Sequence, residues 1–293
     1  MISFIKYRRV TTIFSLCIMA LFIAVFFYKK HTRGYAFTYS VDFTGGTQVL
    51  LGLDKPLDVS VVKNALQQAG FESVTARDFG RNEILVRVKD FSDDSQGVAQ
   101  RMAQVVKDSV PGYEVTVLQN EAVGPGVGEE LRWKSIYAVL LSLIILLIYI
   151  ALRFLSFGYA LGAVVALFHD ALVMLAIFLF LDREISNNFI GAIVAILGYS
   201  INDTIIIFSQ IRKNRKLMPN LPMTEVIDIS INQTLRRTLL TSFTTGLVVG
   251  SMYIFGGEAL RDFSLTLLVG IVFGTYSSVY IASPIMLLFN KDK

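Results

Sequence analysis

The sequence is short of the residues that staple or metallate a domain. It has one cysteine, Cys17, and two histidines, His31 and His169. A single cysteine excludes an intramolecular disulfide and a cysteine metal site. With only His31 and His169, which stand far apart in sequence, a zinc site is not expected. Charge is scarce as well: 17% of the 293 residues are charged and 54% are hydrophobic, with mean hydropathy +0.58. That balance excludes an ordinary soluble domain and fits a polytopic membrane protein. A phosphate-binding loop is also missing. Gly124-Pro-Gly-Val-Gly128 lacks the G-x-G-x-x-G spacing and has no following Lys-Ser/Thr.

What is present is a series of long apolar runs. The first, Val10–Tyr28, follows Lys6, Arg8 and Arg9 and suits a membrane span. It ends in Phe26-Phe27-Tyr28-Lys29-Lys30 without a small-x-small cleavage pattern, so it reads as an uncleaved span rather than a signal peptide. Five more runs follow at 136–155, 157–181, 185–211, 238–254 and 263–289. The net charge of +4 is concentrated beside them. With a cytoplasmic N-terminus, the inner flanks hold Lys6, Arg8, Arg9, Arg153, Arg212, Lys213, Arg215, Lys216, Arg236, Arg237, Lys291 and Lys293. The short outer loops hold only Arg183 and Arg261. Basic residues favour the cytoplasmic side, so both termini are expected inside and residues 29–134 outside. The basic segments therefore read as topology and lipid-headgroup signals, not as a nucleic-acid surface.

Residues 29–134 are the one stretch of soluble composition. Tyr35–Val41, Thr47–Leu53, Ser73–Phe79, Glu83–Lys89 and Tyr113–Gln119 read as strands. Asp58–Ala69 and Ser95–Val110 show helical spacing. The order predicts a small ferredoxin-like α+β domain. Asp42 and the Gly45-Gly46 pair read as a strand-turn device. The segment carrying Gly124, Pro125, Gly126 and Gly128 reads as a hinge into the second span. Within the inner loop 212–237, Met223–Leu235 reads as a helix lying along the membrane surface.

The chemistry lies in the polar residues of the spans. Gly198–Ile211 is strongly apolar, yet holds Asn202, Asp203 and Thr204 together. Asp203 is roughly 12 Å in from Ile211 by helix rise. A carboxylate in hydrocarbon is costly, so such an acid marks a proton path or an interior partner by default. His169-Asp170 lies within the third run and Arg236-Arg237 opens the fifth, followed by Thr238, Thr241, Ser242 and Thr245. Asp203 with Arg237 reads as a proton-coupling pair. Burial raises a carboxyl pKa and a nearby cation lowers it, so a change in their spacing can load and release a proton. Asn202, Thr204, His169, Asp170, Thr241 and Ser242 read as the supporting polar network. The face Gly191, Ala195, Gly198, Asn202 and the repeat Gly270, Gly274, Ser278 are expected to pack tightly between spans. No cofactor, metal or catalytic residue is expected.

Several motifs occur in a fixed order: Val41-Asp-Phe-Thr-Gly-Gly46, Val123-Gly-Pro-Gly-Val-Gly128, Phe168-His-Asp170, Gly198-Tyr-Ser-Ile-Asn-Asp-Thr204, Gln233-Thr-Leu-Arg-Arg-Thr-Leu239 and Phe255-Gly-Gly257. Together they resemble the SecD/SecF family of protein-export membrane proteins, related to the resistance-nodulation-division transporters. The resemblance implies a SecF-like role beside a SecD partner that supplies six further spans. It also implies the SecYEG channel, a translocating polypeptide and drive by the proton motive force. By position, the family's intramembrane acid falls on Asp203 and its arginine on Arg237. The chain departs from the family at Ser209-Gln-Ile-Arg-Lys-Asn214, where the usual pattern is Asp-Arg-Ile-Arg-Glu-Asn. A half-unit of a proton-coupled small-molecule or lipid pump is the alternative reading, and a passive scaffold is a further one. An intramembrane aspartyl protease using Asp170 and Asp203 lacks its Tyr-Asp and Gly-x-Gly-Asp motifs.

Overall fold

The computed structural model describes residues 1–80, 82–91 and 94–289. Arg81 of the expected turn, and Lys291 and Lys293 of the inner flank, lie outside the described residues. In chain order the elements are α1 (Arg8–Arg33), β1 (Thr38–Tyr39), α2 (Val41–Thr44), β2 (Gly46–Leu53), α3 (Val59–Gln68), β3 (Thr75–Gly80), β4 (Glu83–Val88) and α4 (Ser95–Ser109). Then come β5 (Val115–Val123), α5 (Pro125–Phe154), α6 (Phe157–Phe180), β6 (Glu184–Ile185), α7 (Asn187–Leu217), α8 (Met223–Phe255), α9 (Glu258–Ser277) and α10 (Ser283–Phe289). The chain divides into two units, Tyr39–Ser135 and the remainder.

The Tyr39–Ser135 unit is a four-stranded antiparallel sheet in the order β3-β4-β2-β5, with α3 and α4 as its helices. Alternation along β4 points Ile84, Val86 and Val88 into a core with Val49, Leu51, Leu66 and Met102. Asp58 caps α3 by accepting from the Ser60 amide at 2.8 Å. Asp42 lies in the single turn of α2, before Gly45 and Gly46, whose φ values of 71° and 111° only glycine adopts readily. The glycine-rich segment is largely helical rather than an irregular break. Gly126 and Gly128 are inside α5. A Cβ on Gly128 would stand 2.9 Å from the Gly45 amide nitrogen, so the bare backbone lets the start of α5 approach the Gly45 turn.

The second unit is helical. Among the described residues, six helices are long and apolar enough to cross a membrane. Their limits differ from those read off hydropathy, because polar helix ends carry no apolar signal. The second runs from Pro125, not from 136. The expected surface helix and fifth span are one continuous element, α8, and the connection after α7 shrinks from 212–237 to the few residues between Leu217 and Met223. The sixth is interrupted by a π-helical segment, Ser278–Ala282. Such bulges cluster at functional sites.

The helices α6, α7 and α9 pack on one another and bury Phe178, Phe189, Leu197 and Ile196. Outside the spans, Asp182 receives Lys29 Nζ at 2.9 Å and Arg33 at 2.7 Å. Burial raises the Asp182 carboxyl, but hydrogen bonds from Arg33 and Lys29 outweigh it and hold the group below the usual carboxylate range.

Candidate functional site

Among the described residues, the two buried acids of the helical unit stand in different surroundings. Asp170 of α6 is fully buried. Its Oδ2 accepts from Ser200 Oγ of α7 at 2.7 Å and from Ser277 Oγ of α9 at 2.8 Å. His169 Nδ1 lies 3.4 Å from Oδ1, a long contact that fixes the ring's orientation more than it binds. The same interface continues at Thr204 Oγ1, 2.9 Å from Ser278 Oγ. Ser278 donates to the Gly274 carbonyl at 2.8 Å, so Thr204 is the donor to Ser278. Hydroxyls reach across because the helices come very close. A Cβ on Gly270 would lie 2.5 Å from Ile196 Cγ1, which only glycine avoids.

Asp203, also on α7, turns toward α8 instead. It is 2% exposed. Its polar neighbours are Arg237 and Ser242, both on α8. Ser242 Oγ is in turn 2.7 Å from Thr275 Oγ1 of α9. Asp203 Oδ2 has no hydrogen-bond partner among the described residues, and neither does the buried Thr238 Oγ1. A carboxylate oxygen with an idle lone pair can take up a proton without breaking an existing bond. In Asp170 both serine bonds fall on Oδ2, while Oδ1 keeps only the long His169 contact.

The structure thus brings Asp203, Arg237 and Ser242 to one seam, and His169, Asp170 and Thr204 to a neighbouring serine-rich interface. Two residues read as network members are elsewhere. Asn202 is exposed, because one residue of helix turns it about 100° away from Asp203. Thr241 Oγ1 donates to carbonyls of its own helix, Arg237 at 3.0 Å and Thr238 at 2.9 Å. The face Gly191, Ala195, Gly198 and Asn202 does not pack inside this chain: all four are exposed, and a Cβ on Gly191 or Gly198 would meet nothing within 4 Å. Ser200, Ser277 and Thr275 were not singled out from sequence. The signal available was small: Ser277 adjoins the Gly270, Gly274, Ser278 repeat, and Ser200 precedes Asp203 by about one turn.

The family model for the C-terminal part of the protein export membrane proteins SecD and SecF matches residues 102–292. A second model, the SecD/SecF GG motif, matches residues 36–57, which include Gly45-Gly46. The chain belongs to the SecD/SecF family. The protein translocase subunit SecF of Vibrio alginolyticus is 37% identical over 294 residues, covering 100% of this chain and 91% of that one. SecF of Escherichia coli O157:H7 is 37% identical over 261 residues, covering 88% and 80%. SecDF of Thermus thermophilus is 37% identical over 298 residues, covering 99% of this chain but 39% of that longer protein. The crystal structure of a Thermus SecDF, described as a translocon-associated membrane protein, superposes with TM-score 0.87 at 35% identity, over 99% of this chain and 39% of that one. SecDF in a super-membrane-facing form gives 0.69 at 36% identity, over 98% and 38%. SecD/SecF proteins are transport components, and the polar seams described here belong to a multi-pass membrane protein of that family.

Proposed function

We propose that this chain acts as a SecF-type subunit that, with a SecD-type partner, uses the proton motive force to promote translocation of polypeptide through the SecYEG channel. The observation that carries the reading is Asp203: a buried acid beside Arg237, with one oxygen free to be protonated. Asp203 is the proton carrier and Arg237 the cation whose distance sets its affinity for the proton. Carrying one charge through the membrane potential is worth about 2.3 kcal/mol per 100 mV, enough to bias a helix rearrangement. His169, Asp170 and Thr204 hold α6, α7 and α9 together while α8 moves against them.

A half-unit is supported by the bare helices. Of α1, α5 and α8, little is buried by the rest of the chain, and the small-residue face of α7 is open. A SecD-type partner supplies the missing helices at that face, in a multi-pass inner-membrane assembly surrounded by lipid. The distribution of Lys and Arg supports cytoplasmic termini and an outer domain over 29–134. The strand order β3-β4-β2-β5 supports a ferredoxin-like fold for that domain. In this reading the Gly124–Gly128 segment passes movement of the outer domain into α5.

Copurification tests the assignment against a pump half. A tagged chain expressed in cells is expected to bring down a SecD-type protein and channel components. Recovery with a small-molecule pump subunit instead would overturn it.

A further inference from the structure

Helices α1, α6 and α10 leave a groove of about 680 Å³ that the coupling seam does not use. Leu16 and Met19 of α1, Leu172 of α6 and Leu288 of α10 line it, and Arg8 and Arg9 stand at one end. The groove is open to the side: Phe168 and Leu288 on its rim are 52% and 61% exposed. Its length is informative. From Arg9 to Met19 the helix rises roughly 15 Å. The hydrocarbon core is about 30 Å thick, so the groove covers the depth of one leaflet. A partner's spanning helix would need the full thickness.

The charge at the mouth is one-sided. Lys6, Arg8 and Arg9 line an adjoining depression together with Asp228. Asp228 Oδ1 is occupied by the Ile5 amide at 2.9 Å, leaving three cations around a single engaged carboxylate. The wall also holds His169, 7% exposed, whose Nε2 has no partner among the described residues. Nearby, α1 is fixed by polar contacts: Tyr276 Oη donates to the Thr11 carbonyl at 2.8 Å and lies 3.0 Å from Ser15 Oγ.

We propose that this groove is a binding site for one anionic phospholipid of the cytoplasmic leaflet. Its phosphate lies on Arg8 and Arg9, and one acyl chain runs between α1 and α6 as far as Met19. A cationic mouth of this kind selects headgroup charge, while the apolar length selects any chain. The lipid ties α1 to α6, the helix that carries His169 and Asp170.

The test is native mass spectrometry of the full chain, delipidated in detergent and then offered phosphatidylglycerol and phosphatidylcholine in equal amounts. The expected result is one retained phosphatidylglycerol, favoured about tenfold. R8Q/R9Q is expected to abolish the preference. Leu172→Trp, which fills the groove and leaves the arginines in place, is expected to lose retention of both lipids. K213Q/K216Q, at another basic stretch, is expected to change neither. Equal retention of the two lipids by the unaltered chain would overturn the proposal. So would phosphatidylglycerol retained as before in Leu172→Trp, or a loss in K213Q/K216Q as large as in R8Q/R9Q.

Discussion

Asp170 and Asp203 are both buried acids on neighbouring helices, and they differ in what their oxygens do. Asp170 is held by hydroxyls from two other helices. Asp203 keeps one oxygen without a partner among the described residues and has an arginine for a neighbour. The first arrangement is that of a fastener. Its hydrogen bonds are satisfied only when α6, α7 and α9 are together, so it specifies their packing. The second arrangement suits the proposed proton carrier, whose Oδ2 can take a proton with no hydrogen bond lost. The same contrast holds for the helices. Of the central apolar stretch, 61% is buried in α6 and 50% in α7, against 6% in α1 and 11% in each of α5 and α8. The fastener lies in the packed half and Asp203 on its border with a bare helix.

The largest stability effect is expected at the fastener. Asp170→Val strands the Ser200 hydroxyl, at about 1–3 kcal/mol for a buried unsatisfied group, while Ser277 falls back on the Gly274 carbonyl at 3.1 Å. Asp170→Asn keeps an acceptor and should be milder. Thermal unfolding in detergent measures both, and a melting temperature unmoved by Asp170→Val would remove the structural role. Next come the glycines. Gly270→Leu drives a side chain into Ile196 and should destabilise the chain by about 1–3 kcal/mol. Gly198→Leu meets nothing in this chain and should leave its melting temperature alone, yet weaken recovery of a SecD-type partner. If Gly198→Leu leaves partner recovery intact, the open face of α7 is not the docking face.

The smallest effect belongs to a third acid, the partly exposed Asp182. Its folded carboxyl is depressed, so its ion pairs stabilise above the ordinary carboxylate pKa and are lost as pH falls through the lower folded value. Because Asp182 is 42% exposed, solvent screening limits the effect of Asp182→Asn to about 0.2–1 kcal/mol at neutral pH. The difference from the unaltered chain should close in acid. A difference that grows as pH falls would contradict the sign.

Much of the architecture was legible because apolar length and strand alternation are local signals. The six apolar runs and the α+β segment between the first two follow from composition and period alone. The ends of the helices were not legible. Arg236-Arg237 looks like a span boundary, yet α8 passes straight through it from Met223, since a charged pair does not stop a helix whose backbone bonds continue. The acids themselves stood out, because a carboxylate in an apolar run is rare. Their partners did not. Ser200 and Ser277 are small residues of no special local pattern, and only the approach of three helices gives them meaning. The outward face of Asn202 was hidden for a similar reason: a small-residue stripe records that something packs closely, without recording whether the partner belongs to the same chain.

Asp203 is proposed to titrate while Asp170 fastens. Asp203→Asn tests it most directly, since the amide keeps the shape of the carboxyl and cannot cycle a charge. The measurement is the stimulation of preprotein export by a proton gradient, in vesicles carrying the chain, its SecD-type partner and the channel. If Asp203 carries the proton, the mutant assembles with its partner and melts normally, and stimulation by the gradient is lost. Undiminished stimulation in the assembled mutant would contradict it.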